Sequence, residues 1–331
     1  MRPLPPATAA AADPLFGLLL ERAAAHSRPR HRTDPHVVAL VVEGGGMRGA
    51  VPAGMCLVLE AAGLMASVDV VYGCSSGALS GCFAAAGQAS LWATSFEDCA
   101  SREFIDRRRA LRGRPVLDLD FLFGDVIARR RSLSAAGLAG GPEFRAVAVS
   151  ATGAELRVLR DFESTADLLA GVRASCSIPV LTGAPPTYRG EPMVDGGLLE
   201  SIPYRTALRD GATHVLVLRS RDASYRASRE GRLVEPMVAR THPALVPLLR
   251  SCGERYNRDA SELERLARRP PLLPLVRQIA VPPGSRLVPR LSTDRGRIAD
   301  SIRLGAHTMA SDLYGEPATR FWQPFPDLLA A

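Results

Sequence analysis

Two glycine-rich loops, each preceded by an apolar segment, constrain the fold of this chain more than any other feature. The first loop, residues 43–49 (Glu-Gly-Gly-Gly-Met-Arg-Gly), follows the continuous apolar run of residues 37–42. The second, residues 73–77 (Gly-Cys-Ser-Ser-Gly), follows residues 69–72, which are also mainly apolar. An apolar run that ends at a glycine turn is typical of a strand buried on both faces of a mainly parallel sheet. These segments therefore predict an α/β fold in which strands alternate with helices.

Ser75 lies at the centre of the second loop, in the pattern G-x-S-x-G formed with Gly73 and Gly77. A serine hydroxyl becomes an effective nucleophile when a base takes its proton and a sharp strand-to-helix turn presents it to the substrate. The helix that follows such a turn also directs its positive N-terminal end towards the nucleophile. The same pattern fits a tight structural turn, but its position between a strand and a helix favours a catalytic serine.

The first loop predicts an oxyanion hole made by the backbone N–H groups of Gly44, Gly45 and Gly46, because successive glycines leave such donors accessible. Arg48 would fix the loop by binding carbonyl groups or would stabilise negative charge. Together with Gly49 the loop also satisfies the dinucleotide-binding pattern G-x-G-x-x-G. That fold requires an acidic residue at the end of the next strand, where this chain carries the serine turn instead. Dinucleotide binding is therefore the less favoured alternative.

A later turn, Asp195-Gly196-Gly197, places a carboxylate at a predicted strand end. An Asp-Gly pair alone is a common turn, but beside the other two motifs Asp195 becomes a candidate base. Histidine is the rival base, and His242 and His307 both occur late in the chain. They lie in a polar connection and on an amphipathic helix, so we expect neither to be catalytic.

The composition limits the classes of ligand. The net charge is +7, but all 41 basic residues are arginine, and residues with GC-rich codons are abundant throughout. We attribute the arginine excess to codon composition and expect no nucleic-acid partner. The six cysteines lack metal-binding spacing, so we expect no metal and no cofactor.

No apolar run approaches the roughly 20 residues of a membrane span. We therefore predict a cytoplasmic protein, with peripheral membrane contact as a further expectation.

The motifs resemble those of the patatin-like phospholipases, most closely the bacterial members. Residues 44–49 resemble the family's oxyanion motif, residues 73–77 its nucleophile elbow, and residues 195–197 its Asp-Gly-Gly/Ala motif. Residues 173–179 resemble the small-residue segment that precedes this aspartate. All four occur in order within roughly residues 37–220. The resemblance implies a three-layer α/β/α fold with a mainly parallel central sheet.

The resemblance also implies a serine acyl-ester hydrolase of lipids, similar to phospholipase A or lysophospholipase, that uses a Ser-Asp dyad. Ser75 would attack the ester, and Asp195 would take its proton and later activate water. A free aspartate is a weak base (pKa ~3.9), so the site must be partly desolvated. Glu43 replaces the aspartate of many members, and we expect its role to be structural. Alternatives are a hydrolase of short soluble esters and a non-catalytic lipid-binding module.

We predict three parts: a flexible lead-in (1–36), a patatin-like catalytic domain (37–220), and a mainly helical extension (221–331) that completes or caps the fold. Residues 1–13 are predicted to be loose and residues 219–235 to form a surface connection. Further predicted strands are 145–150, 156–160, 213–218 and 275–281, and predicted helices are 15–26, 50–62, 78–86, 244–268 and 295–314. Oligomeric state and chain-length or head-group preference do not follow from the sequence.

Overall fold

The computed structural model describes residues 13–228, 234–268 and 272–315. The predicted loose residues 1–12 lie outside this description. Within it, every helix is too short or too polar to cross a membrane.

A mainly parallel sheet forms the centre of the molecule. Its strands among the described residues are β1 Val38–Val42, β2 Val70–Cys74, β3 Glu143–Ser150, β4 Leu156–Leu159, β5 Thr187–Tyr188, β6 Glu191–Asp195, β7 His214–Leu218 and β8 Leu275–Ile279. The order across the sheet is β5-β6-β3-β2-β1-β7-β8, and β4 pairs with β3. The pairs from β3 through β2, β1 and β7 to β8 are parallel. The β3–β4, β3–β6 and β5–β6 pairs are antiparallel.

Helices cover both faces of this sheet. They are α1 Pro14–Ala24, α2 Ala50–Ala61, α3 Ser76–Ala85, α4 Ala89–Cys99, α5 Thr165–Ser175, α6 Tyr204–Arg209, α7 Glu235–Thr241, α8 Val246–Ala267 and α9 Arg295–Tyr314, with a π-helix at Phe121–Arg130. Alternate residues of β1 point to opposite faces. Val38, Leu40 and Val42 belong to the core that contains α2, α3 and α9. Ala39 and Val41 belong to the core that contains α6 and α8. The fold is therefore the predicted three-layer α/β/α arrangement.

Helices α2 and α9 pack against each other at unusually short range. A Cβ on Gly54 of α2 would collide with the carbonyl oxygen of Ile302, and a Cβ on Gly305 of α9 would collide with that of Val51. The two glycines therefore allow the backbones to touch. Because α9 lies in the predicted extension and α2 in the predicted catalytic domain, this contact joins the two parts of the chain.

The predicted strands are confirmed with end shifts of at most two residues, and α9 begins and ends at the predicted residues. Within the predicted lead-in, α1 buries Leu15, Phe16 and Leu19 completely. The prediction of a surface connection at residues 219–235 is wrong for Arg219 and Arg221, which are buried, while residues 229–233 lie outside the description. The division of the chain at residues 36 and 220 stays a prediction.

Candidate active site

Ser75 occupies the sharp turn between β2 and α3. Its backbone has φ 54° and ψ −129°, in a region that residues with a side chain seldom adopt. Such a conformation costs on the order of 1–3 kcal/mol. The turn is possible because both flanking glycines are packed without room for a side chain: a Cβ on Gly73 would collide with Ala78, and one on Gly77 with the carbonyl oxygen of Val42. The first residue of α3 follows Ser75 directly, so the positive end of the helix lies at the serine.

A buried hydroxyl braces this turn from the side. The backbone N–H of Ser75 donates to Oγ of Ser175 (3.0 Å), and that hydroxyl donates to the carbonyl oxygen of Val147 (2.6 Å). Ser175 is fully buried at the end of α5. It thus connects the nucleophile turn to α5 and β3. The sequence placed Ser175 in a family-like segment but assigned it no role.

Asp195 is the last residue of β6 and begins the turn that follows. Its Oδ1 accepts a hydrogen bond from the N–H of Gly197 (2.7 Å), and Sγ of Cys74 lies 3.8 Å from the same oxygen. Its Oδ2 is buried and accepts no well-aligned hydrogen bond within the described residues. One carboxylate oxygen is therefore held in place, and the other remains able to take a proton.

The surroundings of Asp195 make it a stronger base than a free aspartate. Burial raises the pKa of its carboxyl above the ordinary value, because desolvation disfavours the charged form. The Ser75 hydroxyl, the Gly197 N–H, the charge of Arg290 and the Cys74 thiol each lower this pKa in part without cancelling the rise. Because the Ser75 hydroxyl is one of the groups that lower this pKa, the serine and the aspartate interact.

The glycine loop lies next to Ser75, but two of its predicted oxyanion donors already have acceptors. The N–H of Gly44 donates to the carbonyl oxygen of Ser201 (3.1 Å), and the N–H of Gly45 donates to Oγ of Ser76 (3.0 Å). Gly46 adopts a positive φ of 61°, and its N–H has no acceptor among the described residues. The Gly46 N–H is therefore the one that is ready for a ligand, while that of Gly45 is held by a hydroxyl that can rotate.

The remaining motif residues have mainly packing roles. A Cβ on Gly49 would lie 2.8 Å from the Ser76 side chain, and one on Gly196 would lie 2.5 Å from the Val147 carbonyl oxygen. Arg48 is half-buried and lines neither of the cavities that reach Ser75. The cation that lines both of them is Arg290.

Glu43, at the start of the glycine loop, forms a buried charge network. Its Oε2 accepts hydrogen bonds from Nε of Arg219 (2.9 Å) and from the N–H of Ser220 (2.8 Å), and its Oε1 accepts one from the hydroxyl of Tyr256 (2.7 Å). Arg219 is fully buried. The network ties the loop to β7 and α8, in agreement with the structural role expected for Glu43.

Two cavities meet at Ser75. The larger, of about 520 Å³, also contains Asp195 and extends to Val238 of α7 and Leu249 of α8. The smaller, of about 50 Å³, is lined almost wholly by apolar groups: Met47, Leu79, Trp92, Phe96, Cys99, Phe104, Ile105, Leu117, Leu119, Leu122, Cys176 and Ile178. No described histidine lines either cavity. His307 is exposed and His242 half-buried, both away from the serine.

The structure thus brings together Ser75, Asp195, Gly197 and the three loop glycines 44–46, and leaves Arg48 and the two late histidines outside. Among the described residues, no group of three histidine, cysteine or acidic side chains could hold a metal ion. Sequence reasoning missed Arg221, Tyr256 and Arg290, which reach the larger cavity from the predicted extension. The only sequence signal for this part of the site is Arg219, a charged residue that follows the apolar run of β7 directly.

Comparison with known proteins identifies the family of this chain. Two solved structures are similar to it: VipD from Legionella pneumophila (15% identity, TM-score 0.41, 84% of this chain and 66% of that chain) and human GIVD cytosolic phospholipase A2 (16%, 0.29, 47% and 25%). The chain thus spans just under two thirds of the VipD chain. Curated protein sequences give no significant match. The model of the family described as patatin-like phospholipase matches residues 40–208, about half of the sequence. The chain belongs to the patatin-like phospholipase family.

Proposed function

We propose that this protein is a serine acyl-ester hydrolase of lipids, of the phospholipase A or lysophospholipase type, that works with a Ser75–Asp195 dyad. The observation that carries the proposal is the site itself. A serine in a strained strand-to-helix turn lies beside a buried carboxylate with a raised pKa, where an apolar cavity and a larger cavity meet.

The reaction would proceed through an acyl-enzyme. Oγ of Ser75 attacks the ester carbonyl carbon while Asp195 takes the hydroxyl proton. The tetrahedral intermediate collapses, the alcohol leaves with the proton from Asp195, and the acyl group stays on Ser75. Asp195 then takes a proton from water, the hydroxide attacks the acyl carbon, and Ser75 recovers its proton as the fatty acid is released.

The developing oxyanion would be stabilised by backbone N–H groups. Gly46 supplies a donor that already lacks an acceptor, and Gly45 supplies a second one when the Ser76 hydroxyl turns away. The N-terminus of α3 adds its positive potential. Removing one such donor typically costs about 10²–10³ in rate, so these positions account for a substantial part of the catalysis.

The two cavities suggest how a lipid ester would bind. The smaller cavity is apolar and opens at Ser75, so it suits the first part of an acyl chain. The larger cavity contains Asp195 and polar groups, so it suits the alcohol part of the ester. The cytoplasmic location and the peripheral membrane contact stay predictions.

Hydrolysis assays with four proteins test this proposal. The wild type, Ser75→Ala, Asp195→Asn and His242→Ala/His307→Ala are each given a fluorogenic acyl ester and a labelled phospholipid. We expect both single variants to lose activity by about 10²-fold or more, since each removes a reacting group, and the double histidine variant to retain it. Loss of activity in a folded histidine variant would indicate a triad. A wild type that cleaves no ester would favour a non-catalytic lipid-binding module.

A further inference from the structure

Arg221 is a buried cation in the wall of the larger cavity. It lies three residues after the end of β7 and is only 7% exposed. The cavity that contains Arg221 is the one that contains Ser75 and Asp195. No motif or family segment covers this residue, because the family match ends at residue 208.

The guanidinium of Arg221 has no anionic partner among the described residues. Its Nε and Nη1 are buried without a hydrogen-bond acceptor. Its contacts are with aromatic faces: the guanidinium carbon lies 3.8 Å from the centre of the Tyr225 ring and 5.6 Å from that of Tyr256. Cation–π contacts of this kind hold the group in place, but they supply neither a negative charge nor a hydrogen-bond acceptor.

The neighbouring arginine, Arg219, shows how a buried guanidinium in this region is paired when acceptors are present. Arg219 is also buried, yet it donates to Glu43, Gln278 and Tyr256. The carboxylate of Glu43 accepts hydrogen bonds from Arg219, Ser220 and Tyr256. Within residues 13–228, 234–268 and 272–315, Arg221 is therefore left with no anion to pair with. Burying a positive charge is costly unless it is paired, so an anion that enters the cavity would relieve the cost.

We propose that Arg221 forms an anion-binding subsite that receives the phosphate of a phosphate-bearing acyl ester. The inference rests on the proposed function, since it assigns the charged part of the substrate whose ester lies at Ser75. A planar guanidinium donates pairs of parallel hydrogen bonds to phosphate oxygens. Arg290 lines the same cavity and adds positive potential. The subsite would favour phosphate-bearing esters over neutral acylglycerols.

The binding step can be tested without any assay of catalysis. The melting temperature is measured with and without inorganic phosphate and glycerol 3-phosphate, for the wild type, Arg221→Met and Arg226→Gln. Arg226 is the matched control, because it lies in the same segment but is exposed and paired with Glu264. We expect both ligands to raise the melting temperature of the wild type and of Arg226→Gln, but not that of Arg221→Met.

The unliganded proteins give a second readout. Because Arg221 has no anionic partner in the part of the chain that the structure describes, Arg221→Met without ligand should melt at or above the wild-type temperature, which also shows that it folds. An Arg221→Met protein that melts well below the wild type, or that is stabilised by phosphate as much as the wild type, would overturn the assignment.

Steady-state kinetics test whether the anion that Arg221 binds is the phosphate of the substrate. A lysophosphatidic acid and a monoacylglycerol with the same acyl chain are compared in the same mixed micelles. We expect the ratio of their kcat/KM values to fall roughly 10- to 100-fold in Arg221→Met, mainly through KM, which is the range for hydrogen bonds to charged groups. The ratio should be unchanged in Arg226→Gln.

The outcomes separate this inference from the proposed function. An active enzyme whose substrate ratio does not change in Arg221→Met overturns the subsite and leaves the hydrolase intact. If phosphate stabilises the protein through Arg221 but the ratio is unchanged, the site binds free phosphate and the assignment to the substrate is wrong. An enzyme inactive on both esters refutes the proposed function and, with it, the substrate role of Arg221.

Discussion

At the scale of single residues, the site depends on buried charges that must each be paired with an opposite charge. Glu43 and Arg219 are 0% exposed and compensate each other directly beneath the glycine loop. Replacing such a pair by apolar groups can be neutral, but removing one partner leaves an unpaired buried charge. The loop geometry therefore depends on Glu43 although Glu43 has no role in the proposed chemistry.

We predict that Glu43→Gln lowers the free energy of unfolding by about 3–5 kcal/mol, because Arg219 would remain charged and buried without its partner. Urea denaturation measures this change. Glu264→Gln is the control, since Glu264 pairs with Arg226 in a partly exposed position and should cost at most about 1 kcal/mol. Equal and small effects of the two substitutions would contradict the account of the network.

The pH dependence of activity should report the raised pKa of Asp195. The base must be ionised, so kcat/KM should fall as the pH drops through this pKa, at a pH above the ordinary aspartate value. The charge of Arg290 lowers the pKa of Asp195. Arg290→Gln should therefore move the acidic limb of the profile to higher pH.

The control for this shift is Arg226→Gln, which removes the same charge from an exposed position. A pH–rate profile of kcat/KM on a neutral ester measures the limb in all three proteins. A limb at or below the pKa of a free aspartate, or an equal shift in both arginine variants, would show that Asp195 is not the group that titrates.

At the scale of secondary-structure elements, the contact between α2 and α9 leaves no room for a side chain at its two glycines. Gly305→Ala should destabilise the protein by several kcal/mol, because the new methyl group would overlap the Val51 carbonyl oxygen and force the helices apart. Thermal or urea denaturation measures the loss. Gly296→Ala in the same helix is the control, since its Cβ would meet only one atom, at 3.5 Å.

Because alanine has the higher helix propensity, Gly296→Ala should be neutral or stabilising by up to about 1 kcal/mol. If Gly305→Ala were as well tolerated as Gly296→Ala, the close helix contact would be wrong.

The elements themselves were largely predictable, because their signals are local. The continuous apolar run predicted β1, and four apolar residues on one helix face predicted α9: Ile298, Ile302, Met309 and Leu313. The closeness of α2 and α9 was not predictable, since Gly54 and Gly305 lie about 250 residues apart and neither belongs to a motif. Such a contact depends on which helices the sheet brings together.

At the scale of the whole molecule, the residues after 220 complete both the sheet and the site. β8 pairs with β7 along its length, and Tyr256 of α8 reaches Glu43. Arg290 lines both cavities. The motif-bearing part of the chain therefore lacks a strand and a wall of its cavity when it is taken alone.

We predict that a fragment of residues 37–220 does not fold into an active enzyme. It would lose β8, α8 and α9, expose the edge of β7 and leave Glu43 without Tyr256. Circular dichroism, gel filtration and ester hydrolysis by the fragment and by the full chain measure the difference. A soluble, cooperatively folded and active fragment would support an independent catalytic domain with the predicted boundaries.

The site was predictable where its residues lie in motifs and unpredictable where they come from this later part. Ser75, Asp195 and the loop glycines carry local turn signals that identify them. Arg221 and Arg290 carry none, because an arginine in an arginine-rich chain is not distinctive. Arg48 was singled out because of its motif, yet it lines neither cavity. Only the fold decides which arginines line the cavities at the serine.

The central claim is that Ser75 is a nucleophile activated by Asp195, and covalent labelling tests it most directly. A fluorophosphonate is incubated with the wild type, Ser75→Ala, Asp195→Asn and His242→Ala/His307→Ala, and the adduct is located by peptide mass spectrometry. The account predicts one adduct, on Ser75, which is absent in Ser75→Ala and forms at least about 100-fold more slowly in Asp195→Asn. It predicts an unchanged labelling rate in the histidine variant. An adduct on another residue, or equal labelling rates in wild type and Asp195→Asn, would contradict it.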